Sequence, residues 1–384
     1  MTRVAVVGAG VIGLSAAWEL ANAGCEVEVF DDAPATGASF AAAGMLAPLS
    51  ETASGEGNIL QFGLWSLRLW ADFAARLEDA SGAPVGLRST GTLVVARDAD
   101  DARELSRFTA QLAAQGLAAQ GHHAAVLTIS EVRMLEPALT PRLAAAVSVA
   151  GDHSVDNRVL TDGLLRATTR GGVPLQRERV SVVTAQGRAV GVRGLSTGVM
   201  WPADVVVVAA GVASATVEGV PSGCLPRIRP VKGQILRLQG KPGMLRHTVR
   251  AQVGGQSVYL VPRSDGGLVV GATSEDIGPD TRVTAGAVHD LLRRAIAVVP
   301  EVAELELVEA TARLRPATAD NAPVVGGTGI EGLIIAAGHY RGGVLMAPAT
   351  AAAVTDLVLG HPGSPLLDAL SPMRFDATRQ GALS

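Results

Sequence analysis

Val4-Ala5-Val6-Val7-Gly8-Ala9-Gly10-Val11-Ile12-Gly13 decides the reading of this chain, because an apolar run suited to a buried strand passes directly into a G-x-G-x-x-G turn. Leu14 to Ala23 (LSAAWELANA) then reads as a helix stopped by Gly24, Glu26 to Phe30 as a second strand, and Asp31 stands at that strand's end. Strand, glycine turn, helix and spaced acid in this order make the opening of a nucleotide-binding βαβ fold. Gly8 permits the tight turn, Gly10 lets the backbone approach a pyrophosphate, and Gly13 packs helix against strand. Val11 and Ile12 complete the turn as further cofactor contacts, and the partly positive N-terminus of the helix that follows faces the phosphates. Asp31 is placed to accept hydrogen bonds from an adenosine ribose. An acid there disfavours a 2′-phosphate, which leaves FAD and NAD as the candidate dinucleotides.

A chain of 384 residues suits two domains and a large core. Its net charge is -4 and its basic residues are scattered, so neither nucleic acid nor an anionic membrane is expected as a partner. Cys25 and Cys224 are the two cysteines and lie in no C-x-x-C or Cys/His spacing. That predicts no disulfide, no metal site and a reducing compartment. The apolar stretch from Val4 to Ala23 is interrupted by a glycine turn and followed by a strand, so it reads as fold and not as leader or membrane span. The cytoplasm is the expected location.

Beyond the opening, Ala33 to Leu49 is a loop of small residues where a full NAD domain would place its next helix, as if backbone were laid close to a ligand. Asn58 to Asp79 carries Leu60, Leu64, Leu67, Trp70 and Phe73 at helical spacing and reads as a core-facing helix. Ser89 to Ala96 reads as strand and Ala99 to Leu117 as an amphipathic helix, with His122 and His123 in a polar connector. Ser154 to Thr169 is expected to be helical, and Gly172 to Gly194 to supply two or three strands. Asp204 to Gly211 has the β-branched run of a central parallel strand buried on both faces. Gln234 to Leu238, Ser257 to Val261 and Leu268 to Thr273 read as antiparallel strands, and Val283 to Val299 as a helix. Gly332 to Gly338 is a further buried strand that passes through His339-Tyr340-Arg341-Gly342-Gly343 into a helix, Val344 to Leu359. This second strand, glycine turn and helix N-terminus again offers backbone amides and a dipole to negative charge. The expected fold is α/β (α+β overall): a Rossmann-type FAD-binding domain from 1–85, 150–220 and 320–384, and a mainly antiparallel substrate domain from 86–149 and 221–319.

These residues resemble the glycine oxidase branch of the D-amino-acid oxidase family of flavoproteins. The likeness covers essentially the whole chain and is carried by VVGAGVIGLSAAWELA, AAAGML (41 to 46), VVVVAAGVAS, RPVKGQ (229 to 234), VYLVPR with VVGAT (258 to 273), LRPATADNAPVVG (314 to 326) and GHYRGGVLMAPAT (338 to 350). The resemblance implies that Gly8, Gly10, Gly13 and Asp31 clamp the dinucleotide of FAD, with Val180 beside the adenine and Gly211 also at the cofactor. It implies that Ala43, Gly44 and Met45 lie over the isoalloxazine, and that Gly342, Gly343, Val344 and Leu345 cradle the flavin C2 and N1. Tyr259, Arg315 and Arg341 resemble the active-site trio, the first two on the substrate carboxylate. Sarcosine oxidases of the wider family attach flavin through a cysteine near the C-terminal site. This chain has no cysteine after Cys224, so its FAD is expected to be non-covalent.

The residues themselves support the trio. An arginine presents a rigid fork that matches a carboxylate bidentately, and a tyrosine adds a neutral donor. Arg315 stands between Leu314 and Pro316, and Arg341 inside a glycine turn, which are poor contexts for solvated surface cations. His339 reads as structural. No convergent acid–base cluster, metal spacing or Ser/His/Asp arrangement accompanies these motifs, so the chemistry falls to the cofactor: hydride transfer from the substrate Cα to flavin N5, with imine, glyoxylate, ammonia and hydrogen peroxide as products. The expected partners are a small amino acid and molecular oxygen, and a homo-oligomer is compatible with the sequence. The branch as a whole serves thiamine thiazole synthesis. Ser257 and Ser274 stand where some glycine oxidases carry histidine and a bulkier apolar residue, and Arg313 and Ala317 where glycine is usual. Both serines are expected at the pocket rim, and Arg313 on the same strand face as Arg315. Sarcosine, D-alanine and D-proline therefore stay open beside glycine, with a related D-amino-acid or N-methyl-amino-acid oxidase or dehydrogenase as the alternative. A flavin-binding subunit or redox sensor without turnover is the third reading.

Overall fold

The computed structural model describes residues 1–51, 56–114, 117, 123–221 and 223–375. The first strand, Arg3–Val7, lies in a six-stranded sheet between Glu26–Phe30 and Val205–Val208, parallel to both. Leu333–Ala337 pairs parallel on the far side of Val205–Val208, an antiparallel Val324–Gly327 closes one edge, and Leu175–Gln176 closes the other. The β-branched runs anticipated as doubly buried strands are these central ones: Val206, Val207 and Val208 expose none of their surface.

Alternation along the first strand separates two layers. Val4 and Val6 join a core made with the helices Val11–Asn22, Gly57–Ser81, Asn157–Arg170 and Gly343–Leu359. Ala5 and Val7 face a three-stranded antiparallel sheet built from Val180–Ala185, Arg188–Gly194 and Met200–Pro202. A second sheet has eight strands in the order Glu306–Ala317, Arg229–Gln239, Gly267–Gly271, Gln256–Pro262, Thr248–Val253, Thr92–Ala96, Ala145–Val149 and Ala125–Leu127. It is antiparallel except where Thr248–Val253 runs parallel to Thr92–Ala96. The helix Ala285–Val298 covers it, burying Leu291, Ala295 and Val298. The fold is thus mixed α/β, a Rossmann-like parallel sheet beside a large, mainly antiparallel one, as the sequence led us to expect.

Several boundaries differ. The strand expected over Gln234–Leu238 extends over Arg229–Gln239, because Glu306–Ala317 pairs with it along its length except at a bulge at Val308. Thr248–Val253 and Ala145–Val149 were not anticipated. Polar residues such as Arg250 and Gln252 break the apolar pattern of the first, and its parallel partner lies far away in sequence. The loop expected over Ala33–Leu49 contains a helical turn at Ala38–Ala41 and a two-residue strand, Met45–Leu46, paired with His153–Ser154; a second turn, Pro48–Glu51, overlaps its end. The helix expected from Ser154 begins at Asn157, where the Asp156 carboxylate accepts from the Arg158 and Val159 amides at 3.0 and 3.3 Å. The helix expected to reach Leu117 is observed over Ala99–Ala114, and His122 lies outside the described residues. Among the described residues, no helix is long and apolar enough to cross a membrane.

One splice holds the C-terminal helix. Pro348 lies inside Gly343–Leu359. One rung beyond, the buried Ser66 hydroxyl donates to the Leu345 carbonyl at 2.7 Å and accepts from the Ala349 amide at 3.2 Å, standing in for a helix hydrogen bond. Trp70 Nε1 donates to the same carbonyl at 2.8 Å. The long helix therefore fixes where the last helix begins. Ser66→Ala strands a buried amide and is expected to cost about 1–3 kcal/mol. Chemical denaturation of parent and variant checks this, and an unchanged midpoint would mean that the helix closes its own rung.

Candidate active site

Between the two sheets lies a cavity of about 350 Å³. Phe30, Asp31 and Val180 line one part of it, and Tyr259 and Arg315 another. Two helices begin at its wall. The first helix starts after Gly10 and the last after Gly342; neither N-cap residue has a capping side chain and neither first turn has an acid, although Ser39 Oγ accepts from the Val11 amide at 3.0 Å. Gly8, Gly10, Val11 and Ile12 line the cavity at the first, and Gly343 and Val344 at the second. Both leave partial positive charge facing the same space, which suits the pyrophosphate of a dinucleotide at one and an electron-accepting ring at the other.

The glycine turn is tight for a steric reason. Gly8 has φ +109°, and a Cβ there would lie 2.5 Å from the Ala209 carbonyl oxygen. Gly13 faces away from the cavity, and its Cβ would overlap the Gly8 carbonyl, so helix and strand touch through backbone. Asp31 accepts from the Ala9 amide at 2.6 Å and the Ala33 amide at 2.8 Å. Its carboxylate ties the turn to the second strand, and each oxygen keeps a further acceptor direction for a ribose. Gly211 lines the cavity as well.

Ala43, Gly44 and Met45 form another part of the wall. Gly44 takes φ +75°, and the buried Arg263 donates to the Ala43 carbonyl at 2.7 Å. A side chain of the antiparallel sheet thus fixes the strip laid over the cavity. Of the four residues expected as a flavin cradle, Gly342 and Leu345 line a smaller adjoining recess instead. The Gly342 amide already donates to the His339 carbonyl at 2.9 Å, and the Leu345 carbonyl is taken by Ser66 and Trp70.

Tyr259 comes from Gln256–Pro262 and Arg315 from Glu306–Ala317, with two strands of the antiparallel sheet between them. Arg315 Nη1 donates to the Thr273 carbonyl at 3.0 Å. Burial pushes the Tyr259 phenol above its usual range, against the opposing pull of the Arg315 charge, so it stands as a neutral donor. Arg341 also lines the cavity but is half-exposed, 4.8 Å from the centre of the Tyr340 ring and 3.9 Å from Glu56. Arg313 lines it too, with Nε on the Thr36 carbonyl at 2.9 Å, as expected for a strand neighbour two residues from Arg315. The serines expected at the rim are not among the lining residues: Ser257 is exposed with its carbonyl bound by Arg294 at 2.6 Å, and Ser274 Oγ meets the Tyr340 hydroxyl at 3.1 Å. Ser274 therefore acts on the cavity through Tyr340.

Sequence reasoning missed Tyr340 and Glu51 as lining residues. Tyr340 has φ +47°, and its amide donates to the Pro316 carbonyl at 2.8 Å, which zips the end of the Arg315 strand to the Arg341 turn. Glu51, paired with Arg250 at 2.9 Å, sits in a segment whose small apolar residues gave no sign of an acid facing inward. His339 is buried, bonds Thr350 Oγ1 at 2.9 Å, and is pushed down to about 3 by burial. It also lines the cavity.

A model of FAD-dependent oxidoreductases, the DAO family, matches residues 3–357. The chain belongs to this family. Its cofactor is FAD, which fits a cavity lined by the starts of two helices. The glycine oxidase of Geobacillus kaustophilus is 34% identical over 92% of both chains. The crystal structure of glycine oxidase from that organism superposes with a TM-score of 0.87, 33% identity and coverage of 97% of this chain and 99% of the other. The bifunctional protein ThiO/ThiG of Synechocystis is 33% identical over 98% of this chain and 54% of its own length. The crystal structure of iminodiacetate oxidase from Chelativorans has a TM-score of 0.87 at 28% identity, covering 96% of this DAO-family chain and 99% of the other.

His339 makes a pH prediction. Its folded value of about 3 lies below the ordinary 6.5, so its contribution to stability is full above 6.5 and is lost as pH falls from there toward 3. Asp152, pushed up to about 7 by burial, works in the opposite direction but is common to parent and variant. His339→Gln should therefore lose less stability than the parent between about pH 7.5 and pH 4.5. Equal losses in parallel denaturation curves would contradict the assignment.

Proposed function

We propose that this chain oxidises small amino acids, with glycine as the leading substrate, and that it does so as an FAD-dependent oxidase acting on CH–NH2 donors. The observation that carries this reading is the half-buried pair of Arg315 and Tyr259 on the wall of the cavity that the two glycine turns also line. The likeness to glycine oxidases supports it. FAD, when bound, supplies the hydride acceptor at N5, and molecular oxygen takes the electrons onward to hydrogen peroxide. Glycine, oxygen and water then give glyoxylate, ammonia and hydrogen peroxide.

In this reading the chain's own residues bind and orient. Arg315 takes the substrate carboxylate with its fork, Tyr259 adds a neutral donor, and the Cα–H is thereby aimed at the ring position walled by Ala43, Gly44 and Met45. Gly343 and Val344 offer the helix start to the pole of the ring that gains negative charge. Gly8, Gly10, Val11, Ile12 and Asp31 hold the pyrophosphate and ribose, with Val180 and Gly211 beside the adenosine. Arg341 closes the mouth. Tyr259 is held protonated, and His339, which lines the cavity, is engaged with Thr350 and pushed down to about 3 by burial, so neither takes the substrate's proton at neutral pH. The amine must then arrive neutral, and catalytic efficiency rises with pH. The same reading assigns 1–85, 150–220 and 320–384 to FAD binding and 86–149 with 221–319 to the substrate. It also places the enzyme in the cytoplasm, in supply of an intermediate for thiamine thiazole synthesis.

Mixing the FAD-loaded protein anaerobically with single amino acids tests the proposal: glycine should bleach the flavin absorbance, and no bleaching by any amino acid would overturn it. Removing one member of a buried charge pair costs about 2–5 kcal/mol. Arg315→Leu should accordingly weaken a carboxylate inhibitor roughly thirtyfold or more while FAD stays bound. Tyr259→Phe should lose less, about 1 kcal/mol for a neutral donor.

A further inference from the structure

Two buried glycines of the antiparallel sheet sit under the two side chains assigned to the carboxylate. Gly233 belongs to the Arg229–Gln239 strand and Gly271 ends the neighbouring Gly267–Gly271 strand. Gly271 pairs with Ile235 on one side and with Tyr259 on the other. Because Gly233 and Ile235 are two residues apart, Gly233 and Gly271 share one face of the sheet. A Cβ on Gly233 would meet first Nη1, Cζ and Nη2 of Arg315, the last at 2.5 Å. A Cβ on Gly271 would meet first Cζ, the hydroxyl and Cε2 of Tyr259, the last at 2.5 Å.

Neither glycine has a positive φ. In this they differ from Gly8 and Gly44, whose positive φ and backbone collisions demand glycine for the fold. At Gly233 and Gly271 the three nearest obstacles to a methyl group are all clamp side-chain atoms.

We infer that Gly233 and Gly271 are positioning residues for the substrate carboxylate: they form a bare patch on which the Arg315 guanidinium and the Tyr259 ring lie flat. The inference rests on the reading that those two side chains hold the carboxylate. A methyl group at either position lifts the head above it into the space that the carboxylate would occupy. The guanidinium is the free end of a flexible chain, so it yields without unfolding the sheet. The phenol is rigid and yields by tilting its ring. A displacement of about 1 Å at such a site costs on the order of 100-fold in rate.

The test uses the FAD-loaded protein, with acetate as the carboxylate probe and glycine as substrate. Gly233→Ala should raise the acetate Kd and the glycine KM by roughly ten- to 100-fold, with FAD content and Tm close to the parent's. Gly271→Ala, an independent variant, should do the same through Tyr259. Lysine has no planar fork to collide with a methyl group. In an Arg315→Lys background, Gly233→Ala should therefore change the glycine kcat/KM little, whereas a merely structural role would give additive losses in both backgrounds. The inference falls if Gly233→Ala and Gly271→Ala bind acetate as the parent does, or if the losses are additive. A parent that binds FAD but neither acetate nor any amino acid would instead overturn the functional reading.

Discussion

Two helix starts, each with a glycine at the N-cap and turned toward one cavity, are the constraint on which the rest of the molecule depends. A glycine N-cap offers no side chain to the first amides of a helix; Ser39 takes the Val11 amide at 3.0 Å, and an anion or a ring that gains negative charge is a fitting partner for the helix end. Holding two such ends against one cavity requires the two helices to pack together. The first helix and the last share a core in which Ala16, Ala17, Ala347, Ala349 and Ala353 stand side by side, residues small enough to bring backbones close. Ser66 and Trp70 then fix the last helix along its axis by gripping the Leu345 carbonyl.

The charge along the cavity wall follows from this frame. Asp31, Asp32, Glu178 and Glu218 line it together with Arg179, whereas Arg313, Arg315 and Arg341 come from the antiparallel sheet and the second glycine turn, with Glu51 among them. Acids suit hydroxyl donors of a ribose, and arginines suit a carboxylate. Each set is supplied largely by a different sheet, so the cavity between the sheets can present both.

Geometry at the substrate end is set by small residues and by ties between strands. The Tyr340 amide on the Pro316 carbonyl joins the Arg315 strand to the Arg341 turn, and Arg263 on the Ala43 carbonyl joins the antiparallel sheet to the strip over the cavity. The two sheets are therefore linked at the points where substrate and cofactor would meet.

The sequence by itself determined the βαβ opening, the buried central strand at Val205–Val208, the second glycine turn and the candidate trio of Tyr259, Arg315 and Arg341. These are local signals: a strand run, a glycine spacing and an acid at fixed distance are read from consecutive residues. It also anticipated Arg313 beside Arg315, because strand period places residues two apart on one face. Tertiary structure alone decided that Gly342 and Leu345 turn into a recess, that Glu51 faces inward, that Ser257 stands outside the lining and that Ser274 reaches the cavity only through Tyr340. It alone placed Gly233 and Gly271 beneath the clamp, since what a Cβ would strike depends on strands brought together from distant parts of the chain. Local sequence fixes backbone conformation and face; which neighbour occupies the space above that face is settled by register and packing.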